Sequence, residues 1–225
     1  WIKYNTVNNP IKLVDPDGME FGDYYDGKGN YLGWDGNIDN YVYIIGNRSD
    51  AKRIKNNDKN GKTTSVNDLQ SKPDLETSYG VIREACDVLN RAESNSNQTL
   101  EECSVVDFDL GVSVRSQTGE SQSAELPSIP EWMSKPVSIH SHNKYNDATI
   151  MSGHRADNNG DADHFGDFFQ NVIVGPLGVG RTSGLCFYPN TTTIQPPEYM
   201  MLKSEAQRIL GQRNIRLLRG INKVQ

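Results

Sequence analysis

The sequence predicts an α/β (α+β) domain over residues 73–225, preceded by a smaller β-rich segment. Three observations carry this. Apolar residues recur at steps of three and four over 81–89, the spacing of one helix face, and a second helical stretch over 204–218 carries its own apolar contacts. Between those stretches lie five short strand-like runs, at 103–108, 111–115, 136–140, 171–174 and 185–188. Upstream, between 21 and 46, aromatic residues alternate with turn residues in the manner of β-hairpins.

In chain order, Ile11 to Val14 form a short apolar strand closed by a turn, where Pro16 presets φ and Gly18 can take φ > 0. Residues 21–46 come next as a small β-hairpin connector: Tyr24-Tyr25-Asp26-Gly27 and Gly29-Asn30-Tyr31-Leu32 flank one turn, and Tyr41-Val42-Tyr43-Ile44-Ile45 is strand-like. Calcium binding by this Asp/Gly/Asn cluster is the sharper alternative, but EF-hand spacing is absent. Residues 47–72 are rich in Lys, Asn, Asp, Ser and Gly and read as a polar linker.

The main domain then opens with a helix over 74–92, with Pro73 and Asp74 suiting its start and Glu76 favourable in its first turn. Val81, Ile82, Ala85, Val88 and Leu89 give it one apolar stripe. After a Ser/Asn loop come the strands, the third of which, Pro136-Val137-Ser138-Ile139-His140, runs into Ser141-His142. A helix over 204–218 closes the chain, with Ala206, Ile209, Leu210, Ile215 and Leu218 as its apolar contacts.

Composition narrows the function. The net charge of -6 and pI near 5.2 argue against a nucleic-acid-binding surface, which needs a basic stripe. Hydrophobic residues make up 35% and mean hydropathy is -0.66, and no apolar run approaches the roughly 18–20 residues that cross a bilayer. Three cysteines without C-x-x-C spacing form neither a disulfide framework nor a zinc-thiolate site, and Cys103 and Cys186 read as small buried residues. The opening Trp1-Ile2-Lys3-Tyr4 carries no initiator Met and no signal-peptide pattern, the start expected of a piece of a longer polypeptide.

The chemistry concentrates between 140 and 164, which holds all four histidines. His140 and His142 form His-Ser-His at a strand end, so both imidazoles face one side, as two zinc ligands must. The loop after them is acidic, with Asp157, Asp161, Asp163 and Asp167. Gly160 would let the backbone turn and return Asp161 to the histidines. Two histidines and one carboxylate suit hydrolytic zinc with an open position for water. Such a site needs a base, and Glu101 and Glu102 stand at the opening of the neighbouring strand. His154 and His164 read as surface or supporting residues.

Two resemblances join these readings. Asn9-Pro10-Ile11-Lys12-Leu13-Val14-Asp15-Pro16-Asp17-Gly18-Met19 resembles the closing motif of the RHS repeat-associated core of bacterial polymorphic toxins. That resemblance implies that residues 1–20 end such a core and that the rest of the chain is a variable effector region. It further implies a larger exported protein, secreted or at the cell surface, with a cognate immunity protein as partner. The order helix, Glu opening a strand, further strands, His-x-His and a looped Asp resembles the JAB/JAMM metallopeptidases, whose pattern is E…H-x-H-P…S-x-x-D.

This second resemblance implies a JAB/MPN-like mixed β-sheet flanked by helices over 73–225, acting on a protein or peptide at an amide or isopeptide bond. It implies Zn2+ on His140, His142 and Asp161, with Asp163 or Asp157 as alternative third ligands. The base is Glu102, with Glu101 close behind, and Asn158 or Ser152 assists the oxyanion. Asn143 stands where the family has proline, and Asn158 where it has serine. The alternatives are a metal-dependent nuclease, since Asn143 beside His142 is similar to HNH-type sites, and a metal-free MPN-like binding scaffold.

Overall fold

The computed structural model describes residues 22–37, 39–95, 98–116, 118, 119, 124–152, 160–178 and 182–221, with side chains to 214. The motif at 9–19, His154, Asp157, Asn158 and the side chains of Ile215 and Leu218 lie outside the described residues. The chain is mixed α and β and divides into two compact units, Trp1–Glu76 with Arg208–Gln225, and Thr77–Gln207. No helix of the described residues is long and apolar enough to cross a membrane.

The first unit is built on a sheet of order β2-β1-β3-β4, with strands Asp23–Asp26 (β1), Tyr31–Trp34 (β2), Tyr41–Ile45 (β3) and Leu75–Ser78 (β4). β1 and β2 make the expected hairpin, its turn held by Asp26 Oδ1, which accepts from the N–H groups of Lys28 and Asn30. β3, however, pairs parallel with β1 and forms no second hairpin.

The stretch 47–72 is not a linker: Arg48–Lys59 is a helix (α1). Asn47 caps it by accepting from the N–H groups of Ser49 and Asp50. Buried Asp50 accepts from the backbone of Gln70 and Ser71, which ties the loop after the helix down. A helix needs only one apolar face, and here Ile54, with Ala51 beside it, packs against Tyr24, Leu32, Tyr43 and Ile45. Composition misled because Ile54 alone buries the helix's apolar face and Asp50 ties down the backbone of the loop that follows. These residues thus form a unit with its own core, larger than a connector.

The second unit holds helix α2 (Tyr79–Ser94) and a six-stranded sheet of order β10-β9-β8-β7-β5-β6. Its strands are Cys103–Asp107 (β5), Ser113–Arg115 (β6), Pro136–Ser141 (β7), Gln170–Leu177 (β8), Thr182–Tyr188 (β9) and Tyr199–Leu202 (β10). All neighbours are antiparallel except β7 and β8. A short helix, Asp161–His164 (α3), lies between β7 and β8, and α4 (Lys203–Ile221) closes the chain.

Helix α2 begins later than the start that Pro73 and Asp74 suggest. Leu75 and Thr77 are buried and Glu76 is exposed, so 75–78 alternates as a strand. Ser78 then caps the helix, its hydroxyl accepting from the N–H of Val81. β10 was missed because only Met201 of its four residues is buried, too little for a visible alternation.

Helix α2 covers one face of the six-stranded sheet, against β5, β7, β8 and β9. A buried polar network crosses this interface. Glu84 accepts from Ser104, Ser113 and both ends of the Arg115 guanidinium at 2.8–3.0 Å. Burial alone would raise the Glu84 carboxyl, but these donors outweigh it and hold it below its ordinary value. We predict that Glu84→Ala costs about 3 kcal/mol, because Ser104 and the Arg91 beside it lose their buried partner. A carboxyl with a depressed folded pKa stabilises above its unfolded pKa and loses that contribution as pH falls through the folded value. The gap between wild-type and variant urea midpoints is therefore wide at pH 7 and narrows in acid. Equal midpoints at pH 7 would refute the assignment.

Candidate metal centre

The site forms at the end of β7, and register decides which side chains reach it. His140 lies opposite Cys103 on β5 and Ile173 on β8, and Ile173 lies opposite Cys186. Directly paired residues share a face, so His140 stands on the side away from α2. That side is covered by the segment between β7 and β8, whose Ala148, Met151, Ala162 and Phe165 pack with Ile173, Cys186 and Tyr188 in one buried cluster. The Phe165 ring sits 6.1 Å from the His140 ring. Burial of Ala162 within α3 and of Phe165 just after it is what brings Asp161 to the histidines. Gly160 is extended, with φ -84°, so the glycine turn expected there is not used.

His140 Nε2 lies 3.1 Å from Asp161 Oδ1, and His142 Nε2 lies 3.8 Å from Asp161 Oδ2. The three residues offer ligand atoms all within 4.8 Å of one another, a group that could hold a metal ion. Asp161 is fixed from Ser152: the Ser152 N–H donates to Asp161 Oδ2 at 2.6 Å, and the Asp161 N–H donates back to Ser152 Oγ at 2.8 Å. His142 Nδ1 lies 3.0 Å from the Asp147 carbonyl. A carbonyl only accepts, so Nδ1 carries a proton, and Nε2 is the nitrogen turned toward Asp161.

Electrostatics agree with a cation at this point. Burial alone would lower the His140 imidazole, but the charges of Asp161 and Glu101 outweigh it and the net direction is up. Burial would raise the Asp161 carboxyl, yet the two imidazoles hold it far below the carboxylate range. His140 Nε2 is buried and makes no well-aligned hydrogen bond, despite the carboxylate 3.1 Å away. A buried nitrogen left so costs about 1–3 kcal/mol. The residues therefore fit a metal: two imidazole nitrogens and a carboxylate oxygen converge, and among the described residues His140 Nε2 has no partner besides Asp161.

The base assignment changes. The Ser141 N–H donates to the Glu102 carbonyl, and the Glu102 N–H donates to Ser141 Oγ, so Glu102 lies opposite Ser141. Both belong to the α2 face, where Arg91 Nε meets Glu102 Oε2 at 3.3 Å and Thr118 Oγ1 donates to Oε1. Glu102 is thus turned away from the histidines by strand alternation. One residue earlier, the same alternation turns Glu101 toward the histidines; it is 7% exposed, and its charge acts on His140.

Among the other expected residues, Asp163 is occupied elsewhere, its Oδ2 accepting from the Gly160 N–H. Asp157, Asn158 and His154 lie outside the described residues. His164 is described and is not in the cluster. The cysteines are buried, and burial pushes the Cys86 thiol up to about 11 and Cys186 up to about 12, the opposite of an activated nucleophile.

Two contributors carry no signal in the sequence analysis. Asp147 is not singled out there, although Asp-x-Thr is a turn signature. Gly175, at φ +152°, lets β8 approach the end of β7, since a Cβ there would meet the His142 carbonyl at 3.0 Å.

A scan of protein-family models, a search of curated proteins and a search of solved structures each gave no match for this chain.

Proposed function

We propose that the Thr77–Gln207 unit is the core of a zinc-dependent hydrolase of the JAB/JAMM type that cleaves an amide or isopeptide bond. The observation that carries this is the convergence of His140, His142 and Asp161, with Glu101 on the same sheet face. Two imidazoles and one carboxylate are the donor set of hydrolytic zinc and leave a position open. Zinc held there supplies a Lewis acid that polarises the scissile carbonyl and acidifies a water.

The chain's own residues do the rest. Glu101 accepts the proton of the attacking water and delivers it to the leaving amine. Ser152 holds Asp161 through its backbone N–H and Oγ. Because that Oγ accepts from Asp161, its own proton is left to donate to the oxyanion. In this reading the whole chain is the effector end of an RHS-type polymorphic toxin. It is carried out of the cell by a larger protein, meets a protein or peptide substrate, and is restrained by a cognate immunity protein. The motif at 9–19 supports that setting.

The test uses the full chain, loaded with zinc, against a peptide library and isopeptide-linked substrates, with plasmid and RNA in parallel. Amide cleavage that disappears with chelator and returns with added zinc is the expected result. Nucleic-acid cleavage alone would transfer the site to the nuclease class. A chain that takes up no zinc would leave a binding scaffold.

A further inference from the structure

We infer that Asp147 is the positioning residue of this centre, locking His142 in the tautomer protonated at Nδ1 with Nε2 aimed at Asp161. The lock is built from the backbone outward. The Asp147 carbonyl faces His142 Nδ1 at 3.0 Å. Its position is held by its own side chain, whose Oδ1 accepts from Thr149 N–H and Thr149 Oγ1, both at 2.8 Å, and from Gly178 N–H at 3.1 Å. Gly178 has φ +58°, the left-handed conformation that glycine adopts without strain, at the turn after β8.

The next residue is clamped as well. The Ala148 N–H donates to the Pro176 carbonyl at 2.8 Å, and the buried Tyr188 hydroxyl donates to the Ala148 carbonyl at 2.9 Å. Ala148 itself is fully buried. The carbonyl that meets His142 thus cannot rotate away without breaking contacts to β8 and β9. Hydrogen bonding at one imidazole nitrogen sets what the other can do, and such outer contacts typically change metal affinity by 10–100-fold when removed.

This inference rests on the metal-centre reading for its purpose, though not for its first measurement. In the metal-free full chain, 15N NMR of the His142 ring should show protonation at Nδ1 in the wild type and a mixture of tautomers in Asp147→Ala. Zinc affinity, measured by competition with a chromophoric chelator, should fall about 10–100-fold in Asp147→Ala. Asp147→Asn, which keeps the Oδ1 acceptor, should stay near wild type. Protonation at Nε2 in the metal-free wild type overturns the inference, and so does unchanged zinc affinity in Asp147→Ala. The wild-type spectrum needs no variant, so a misfolded Asp147→Ala leaves the test standing. A wild-type chain with the Nδ1 tautomer and no zinc affinity would support the lock and sink the metal centre.

Discussion

Glu101→Gln is expected to leave zinc content unchanged while lowering amide hydrolysis by about 10²–10⁴-fold, the usual contribution of a positioned general base. The residue's charge acts on His140 and it is not among the clustered candidate ligands, so in the proposed centre its removal should spare binding and remove proton transfer. Glu102→Gln is the matched control. Its carboxylate meets Arg91 and Thr118 on the α2 face, so the change should cost about 1–3 kcal/mol of stability and leave turnover per folded molecule intact. Steady-state kinetics, zinc analysis and urea unfolding on both variants separate the two roles. Lost turnover in Glu102→Gln with normal turnover in Glu101→Gln would reverse the assignment.

The second large effect is expected for His140→Ala/His142→Ala. The wild-type chain should hold close to one zinc and the double variant almost none, by elemental analysis. Metal binding to the folded state alone adds stability by mass action, about 4 kcal/mol when free zinc is 1,000 times the dissociation constant. Zinc should therefore raise the thermal midpoint of the wild type and not that of the variant. Comparing each protein with and without zinc removes the separate cost of leaving Asp161 buried without its imidazole neighbours. Equal zinc content in the two proteins would remove the basis of the centre.

The ligands and the base differ in how legible they were. His140 lies near the end of β7 and His142 one residue past it, and a period of two carried over that end puts them on one face. Asp161 was readable as one of three candidate ligands among the four carboxylates of an acidic loop, and choosing it required knowing that Ala162 and Phe165 are buried while Asp163 folds back on Gly160. Glu101 and Glu102 are adjacent, so they must point to opposite faces, but which face holds the metal depends on how β5 is registered against β7. Register comes from pairing between residues about forty apart, which local pattern does not contain.

The same division runs through the fold. The sequence by itself determined the mixed α/β character, the apolar stripe of α2, eight of the ten described strands and the His-x-His geometry, because each arises from local periodicity. Only the tertiary structure decided that residues 48–59 are a helix, that β3 runs parallel to β1, that Glu101 and not Glu102 faces the histidines, and that Asp147 braces His142. Those outcomes turn on burial of a few side chains such as Ile54 and Phe165 and on backbone groups that find partners across the sheet. Such contacts take their energy from what surrounds a residue, and neighbours in space are fixed only once the chain has folded.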